Sequence, residues 1–288
     1  MSSLIGIDLG GTKIEGVLFT DTLKVIHKIR IPTPTAYEDI LDSISSLVGD
    51  LKSIKSNVKI GICTPGVISN KTQKIINSNT QCLINKSFKT DISNKIDQDI
   101  LIDNDANCFT LAEATHGHAK DHDVVFGVIL GTGVGGGIFF DNKIWSGANL
   151  MAGEWGHHVL NRDGNSCYCG QKGCVETYIS GPALERRWSE ISGTHLPLES
   201  ILQLGDSRIK QWKNEFLNNF GRSMANVISI LDPNVIILGG GLSNIDFLYT
   251  EGKDHIYQNI SNSEDTKLLK NKLGDSAGVF GAGLLWNY

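Results

Sequence analysis

Residues Gly6-Ile7-Asp8-Leu9-Gly10-Gly11-Thr12-Lys13 run into Gly16-Val17-Leu18-Phe19. The same phrase returns as Gly127-Val128-Ile129-Leu130-Gly131-Thr132-Gly133-Val134, running into Gly137-Ile138-Phe139-Phe140. The two align without a gap. Each reads as an apolar strand, a Gly/Thr-rich turn and a second apolar strand. Such a turn leaves backbone N–H groups uncovered by side chains, which suits phosphate oxygens. Two copies in one chain predict two related half-structures that grip one polyphosphate from both sides.

The segment after each turn decides between loop types. The first lacks the Gly-Lys-Ser/Thr order of a Walker A loop, and it leads into a strand instead of a helix. The second, Gly131-Thr132-Gly133-Val134-Gly135-Gly136, matches G-x-G-x-x-G literally. Ile138-Phe139-Phe140 after it is β-branched and aromatic, so a dinucleotide site is the weaker reading. The copies are also unequal, because Asp8 in the first corresponds to Ile129 in the second. Asp8, at a strand end, is placed to orient a hydrated Mg²⁺ beside phosphates, with Thr12 and the glycine amides on the phosphate oxygens. A plain hairpin would account for Gly10-Gly11 but leaves Asp8 and Lys13 without a purpose.

Outward from the repeat, strands and helices alternate, which predicts an α/β fold. Strands are expected at Leu4–Leu9, Ile14–Phe19, Val25–Ile31, Val58–Ile62 and Ile100–Ile102. Helical spacing covers Tyr37–Ser53 and Ala106–His116. Val124–Leu130 and Gly137–Phe140 open the second copy. A long amphipathic helix over Ile209–Leu231 stops at Asp232-Pro233, strand Val235–Leu238 comes next, and Val279–Trp286 closes the chain as a helix. The domain boundary is expected just after the 106–116 helix. That divides the chain into residues 1–117, completed by the C-terminal helix 278–288, and a larger unit of 118–277.

A chain of 288 residues has room for two domains. A net charge of −5 and a pI near 5.9 argue against a nucleic-acid partner. No apolar run approaches the roughly 18 residues of a membrane span. Met-Ser-Ser-Leu-Ile-Gly-Ile-Asp enters a strand without a basic leader or cleavage site, so a cytoplasmic protein is expected.

Three further clusters carry chemistry. Asp103-Asn104-Asp105-Ala106-Asn107 comes after a strand and opens a helix. One Asx residue suffices as an N-cap, yet four of these five positions are Asx. A strand-end carboxylate beside an amide suits binding a substrate hydroxyl and taking its proton. Of the six cysteines, Cys63, Cys82 and Cys108 sit in apolar surroundings and read as core. Cys167, Cys169 and Cys174 lie after His157 in the spacing H-x9-C-x-C-x4-C, a Cys₃His set for structural Zn²⁺. His158 competes with His157 for the fourth position. Glu154 and Glu176 flank this turn, and a rigid metal loop would hold them as acceptors for sugar hydroxyls. Gly239-Gly240-Gly241-Leu242 reads equally as a backbone surface for adenosine or as a helix-entry turn.

Together these motifs resemble the ROK family of sugar kinases over almost the whole chain. The resemblance rests on Asp8–Lys13, Asp103–Asn107, Gly131–Gly137, Gly153-Glu154-Trp155-Gly156-His157, Cys167–Glu176 and Asp232–Gly241. It implies a duplicated actin-like, ribonuclease-H-like α/β fold with ATP and sugar in the cleft between two domains. It implies Asp105 as the general base, and Asn79, Asn104, Asp105, Glu154, His157 and Glu176 as sugar contacts. His157 would bind Zn²⁺ through one ring nitrogen and face sugar with the other, and the family spacing selects it over His158. Gly10, Gly11, Thr12, Lys13, Gly131, Thr132 and Gly133 resemble the phosphate loops, and Gly240 and Gly241 the adenosine loop. ATP, Mg²⁺ and a structural Zn²⁺ are the implied cofactors, and a homodimer the implied assembly.

Two departures bear on the sugar. Cys82 stands where the family often has Trp, and Cys63-Thr64-Pro65-Gly66 replaces the more usual Gly-x-Pro-Gly. Phrases such as Ala152–His157 and Gly274–Val279 look most like bacterial fructokinase/mannokinase, and N-acetylglucosamine kinases share most of them. A fructokinase-like 6-kinase is expected first, N-acetylglucosamine kinase second and glucokinase third. A sugar-sensing regulator would need an N-terminal helix-turn-helix, for which a chain starting at its first strand leaves no room. A non-catalytic sugar-binding module would not need Asp105 and both phosphate turns.

Overall fold

The computed structural model describes residues 3–76, 78, 80–261 and 265–287. Asn79, expected at the sugar, lies outside these described residues. Strands β1 (Ser3–Leu9) and β2 (Lys13–Phe19) pair antiparallel, with Asp8 opposite Glu15. The Gly10 N–H donates to the Lys13 carbonyl at 3.0 Å and closes the turn between them. β3 (Val25–Pro32) extends this hairpin. Helix α1 (Tyr37–Ile54) buries Ile40, Leu41, Ile44, Leu47, Val48 and Leu51, the spacing of one helical face. β4 (Val58–Thr64), the short hairpin of β5 (Val67–Ile68) and β6 (Ile75–Ile76), helix α2 (Phe88–Ile96) and β7 (Ile100–Asn104) complete the half. The sheet order is β3-β2-β1-β4-β7, with β1, β4 and β7 parallel.

Helix α3 (Asp105–His116) begins where β7 ends. The second half then repeats the first. β8 (Val125–Leu130), β9 (Val134–Phe140) and β10 (Lys143–Ile144) form its antiparallel edge. Helices α4 (Glu176–Ile179), α5 (Gly181–Ser192), α6 (Leu198–Ile201) and α7 (Ile209–Leu231) precede β11 (Val235–Gly239). Helix α8 (Glu251–Tyr257), β12 (Lys267–Lys270) and α9 (Ala277–Leu284) end the chain. The sheet order β10-β9-β8-β11-β12 reproduces the first sheet strand for strand.

The strands and long helices expected from the sequence are present, whereas α2, α5, α8 and β12 lie outside those expectations. α5 carries a clear start and stop: Ser180 as N-cap, Pro182 in the first turn and Gly193 at φ +76° after it. Its apolar residues form too short a periodic run to expose it.

Each sheet is covered by a helix that leaves the other half. α3, emerging from the first sheet, packs on the second, where a Cβ at Gly127 would overlap the Thr110 hydroxyl. α9, emerging from the second half, packs on the first sheet, where a Cβ at Gly6 or Gly61 would overlap the carbonyls of Val279 or Ala282. Gly6 and Gly127 are equivalent in the sequence repeat, so one small residue serves the same close approach twice. The two helices also touch each other, with Gly281 against the Cys108 carbonyl.

Candidate active site

Two cavities meet at Asp105. One, of about 260 Å³, is walled by Asn104, Asp105, Glu154, His157, Tyr168, Glu176 and the turn Gly131–Gly133. The other, of about 430 Å³, is walled by Asp8, Gly10, Gly11, Cys63, Asp105, Gly240, Gly241 and the segment from Asn271 to Gly278. Asp105 and Ile129 line both. The arrangement suits two ligands whose reacting atoms meet at one carboxylate.

The Asx cluster divides its work. Asn104 is the N-cap of α3, its Oδ1 accepting from the Asn107 N–H at 2.7 Å. That leaves Nδ2 as the donor offered to a ligand. Asp103 Oδ1 accepts from the Asn104 N–H and from Asn107 Nδ2, both at 2.8 Å, which locks the turn. Asp105 Oδ1 accepts from the Ala106 N–H at 2.9 Å. Burial raises the Asp105 carboxyl above its usual range, opposed by these backbone donors. Burial also raises Asp8 to about 6, partly offset by a hydrogen bond from the Cys63 thiol. Glu154 is pushed up by burial and then by the negative charges of Asp105 and Glu176. Three carboxylates around one small cavity repel anions and accept hydrogen bonds, which selects a neutral polyhydroxyl ligand.

Backbone and carboxylate fit closely on the second-half side. Glu176 Oε2 accepts from the Val134 N–H at 2.9 Å. A Cβ at Gly133 would stand 2.9 Å from that oxygen, so a glycine there admits the carboxylate. Trp155 Nε1 donates to the Gly135 carbonyl at 3.1 Å and pins the loop carrying Glu154.

The donor atoms of His157, Cys167, Cys169 and Cys174 all lie within 4.8 Å of one another. Cys167 Sγ is 3.6 Å from His157 Nδ1, and Cys169 Sγ is 3.6 Å from Cys174 Sγ. A tetrahedron with Zn–S near 2.3 Å and Zn–N near 2.0 Å has edges of about 3.5–3.8 Å, so the donor set fits zinc. His157 Nδ1 faces the thiols, while Nε2 meets the Tyr168 hydroxyl at 3.1 Å on the cavity side. His158 is exposed and stands outside the cluster. Gly170 and Gly173, at φ +88° and +74°, let the loop fold back on itself.

Most of the expected residues converge. Asp8, Gly10, Gly11, Gly240 and Gly241 wall the larger cavity, and Asn104, Glu154, His157 and Glu176 the smaller. Gly131, Thr132 and Gly133 line the smaller cavity together with Asn104, and not the one that holds Gly10 and Gly11. Thr12 and Lys13 lie in the first turn and at the start of β2, outside both walls. Sequence reasoning assigns nothing to Tyr168, Ser243, Asn244 or Asn271. Tyr168 sits inside the cysteine motif, and its phenol is a readable signal. Asn271 has none, since its place depends on where β12 pairs with β11.

The sequence profile of the ROK family matches residues 4–288. The chain belongs to the ROK family. The N-acetyl-D-glucosamine kinase of Histophilus somni (strain 129Pt) is 37% identical over 300 residues, spanning 98% of both chains. That of Vibrio atlanticus (strain LGP32) is 36% identical, spanning 97% of this chain and 98% of its own. The ROK hexokinase of Thermus thermophilus superposes with a TM-score of 0.89 at 26% identity, over 98% of this chain and 97% of that one. The ROK glucokinase of Streptomyces griseus, solved with glucose and AMPPNP, gives 0.81 at 27% identity over 98% of each. The fold is the actin-like ATPase fold of the ROK kinases, and this ROK protein is an ATP-dependent sugar kinase.

Proposed function

We propose that this ROK kinase phosphorylates N-acetyl-D-glucosamine at its primary 6-hydroxyl. Relatives of that name, 34–37% identical across 97–98% of this chain, carry the reading. Their names rank N-acetylglucosamine ahead of fructose and mannose, the reverse of the order expected from short sequence phrases. The acceptor-rich cavity supports any neutral hexose, so the choice among sugars rests on the relatives.

In this reading the sugar occupies the cavity of Asn104, Glu154, His157 and Glu176, with its 6-hydroxyl toward Asp105. The nucleotide lies along Gly10, Gly11, Gly240 and Gly241. Asp105 accepts the hydroxyl proton, the sugar oxygen forms a bond to the γ-phosphorus, and the bond to the β-phosphate oxygen breaks to release ADP. Asp8 is the residue to hold Mg²⁺ through its water shell, where the metal would neutralise phosphate charge. His157, Cys167, Cys169 and Cys174 would hold a structural Zn²⁺ that fixes the loop between Glu154 and Glu176. The same reading takes the protein as a cytoplasmic homodimer. In keeping with it, no helix among the described residues is long and apolar enough to cross a membrane.

Steady-state kinetics across N-acetylglucosamine, N-acetylmannosamine, glucose, mannose and fructose test the substrate. The highest kcat/KM is expected with N-acetylglucosamine, and a higher value for fructose or mannose would overturn the assignment.

A further inference from the structure

One polar row crosses the first sheet. In the strand register Asp8 of β1 stands opposite Glu15 of β2, and Glu15 opposite Arg30 of β3. Residues opposed in this way project from the same face of a sheet. Lys28, two positions before Arg30 on β3, lies on that face as well. Glu15 is only 2% exposed. Its Oε1 stands 2.7 Å from Lys28 Nζ, and its Oε2 accepts from Arg30 Nε at 2.7 Å. Burial works against the charge of Glu15, and the two cations more than offset that, holding its carboxyl below the usual range.

A carboxylate is a costly choice at this position. It sets a second negative charge directly across from Asp8, where like charges repel. A buried ion pair often contributes no more than well-packed apolar residues of the same volume. What the carboxylate adds is a hold on a third element. Ser276 Oγ donates to Glu15 Oε1 at 3.2 Å and accepts from Lys28 Nζ at 3.2 Å. Ser276 is the N-cap of α9, yet its side chain makes no capping hydrogen bond. Its hydroxyl serves Glu15 instead.

The turn held in this way belongs to the wall of the larger cavity. Gly274, Asp275, Ala277 and Gly278 line that cavity, whereas Ser276 between them does not. A Cβ at Gly278 would stand 2.8 Å from Asp8 Oδ2, so the turn also abuts Asp8. One side of the turn therefore faces the cavity, and the other is fastened to Glu15. Glu15 itself lines neither cavity.

We propose that Glu15 is a positioning residue for the nucleotide, acting through Ser276 to set the 274–278 turn against Asp8. Lys28 and Arg30 aim its carboxylate. The proposal rests on the reading that the larger cavity takes ATP, and it names what holds that wall in place.

The test compares the KM for ATP with the KM for sugar in three variants. Ser276→Ala removes only the hydroxyl. It should raise the KM for ATP by about fivefold and leave the KM for sugar within about twofold. Ser276→Thr keeps the hydroxyl and should restore the wild-type value. Glu15→Ala should raise the KM for ATP by about tenfold or more. Where the unpaired Lys28 and Arg30 prevent that variant from folding, the two serine variants decide. Both KM values unchanged in Ser276→Ala overturn the positioning proposal and leave the cavity reading standing. An equal rise in both marks a general structural role and overturns the proposal too. A rise in the KM for sugar alone overturns the placement of ATP in the larger cavity, and the proposal with it.

Discussion

Asp105 stands at the first position of a helix, at the end of a strand and on the wall of two cavities at once. Its burial makes the proton harder to lose and, once lost, makes the carboxylate a stronger base. Asp105→Asn keeps the shape and the neighbouring cap while removing the basic oxygen. The expected result is a loss of about 10³-fold in kcat with sugar affinity little changed, read by single-turnover kinetics and calorimetric titration. A variant retaining near-normal kcat would refute the assignment of Asp105 as base. The pH profile reflects the same burial. The base works only when ionised, and its ionisation is displaced upward. Activity therefore falls, as pH is lowered, at a higher pH than an ordinary aspartate near 3.9 would give. Asp105 is legible in the sequence because four Asx residues exceed what capping requires. The place of Asn271 on the wall of the larger cavity is not, since it follows from the parallel register of β11 and β12.

At the scale of elements, the cysteine loop and helix α3 carry most of the positioning. The loop from His157 to Glu176 has little apolar burial of its own; Leu160, Cys174 and Val175 are its buried apolar members. Its order would come from the metal, so chelation or Cys169→Ser should lower the melting temperature. The same change should raise the KM for sugar by about tenfold or more, as His157 and Glu176 lose their support, while the KM for ATP stays within about twofold. An unchanged melting curve after exhaustive chelation would count against structural zinc. Glu113, fully buried on α3, accepts from the backbone N–H groups of Lys272 and Leu273 at 2.9 and 2.8 Å and of His118 at 3.1 Å. It thereby ties α3 to the strand end that leads into the wall of the larger cavity. Glu113→Ala removes the acceptor of three backbone donors and should cost about 3 kcal/mol in urea unfolding. The Cys₃His loop can be read from spacing, because a bound metal would demand fixed ligand types. Glu113 cannot, since a single glutamate on a helix gives no sign of carrying a distant loop. The same limit applies to Gly131–Gly133. Its composition suits phosphate, but which cavity it faces depends on how β8 and β9 sit against the Glu176 loop.

At the scale of the molecule, the repeat in the sequence becomes two sheets of identical strand order. Duplication alone would give two self-sufficient halves. The glycines say otherwise. Gly6 and Gly127 each receive a helix, and in each case the helix belongs to the opposite half of the chain. The carboxylates proposed as base and as Mg²⁺ holder sit on this exchange: Asp105 opens α3, and Asp8 lies against Gly278 of α9, whose Cβ would stand 2.8 Å from Asp8 Oδ2. Divergence between the copies is then understandable. The first copy retains an acidic strand end at Asp8, while in the second the corresponding Ile129 packs with the buried apolar residues around α3 and α9.

This mutual covering makes the halves complementary reagents. A fragment of residues 1–117 exposes the sheet face that α9 should cover and carries α3 with nothing to cover. A fragment of residues 118–288 has the mirror defect. Made separately, each should aggregate or remain partly unfolded; produced together, they should assemble into a soluble, active pair. Co-purification of the two fragments with recovered sugar phosphorylation is the readout, and independent folding of either fragment would contradict it. The molecule would then serve as its own split reporter.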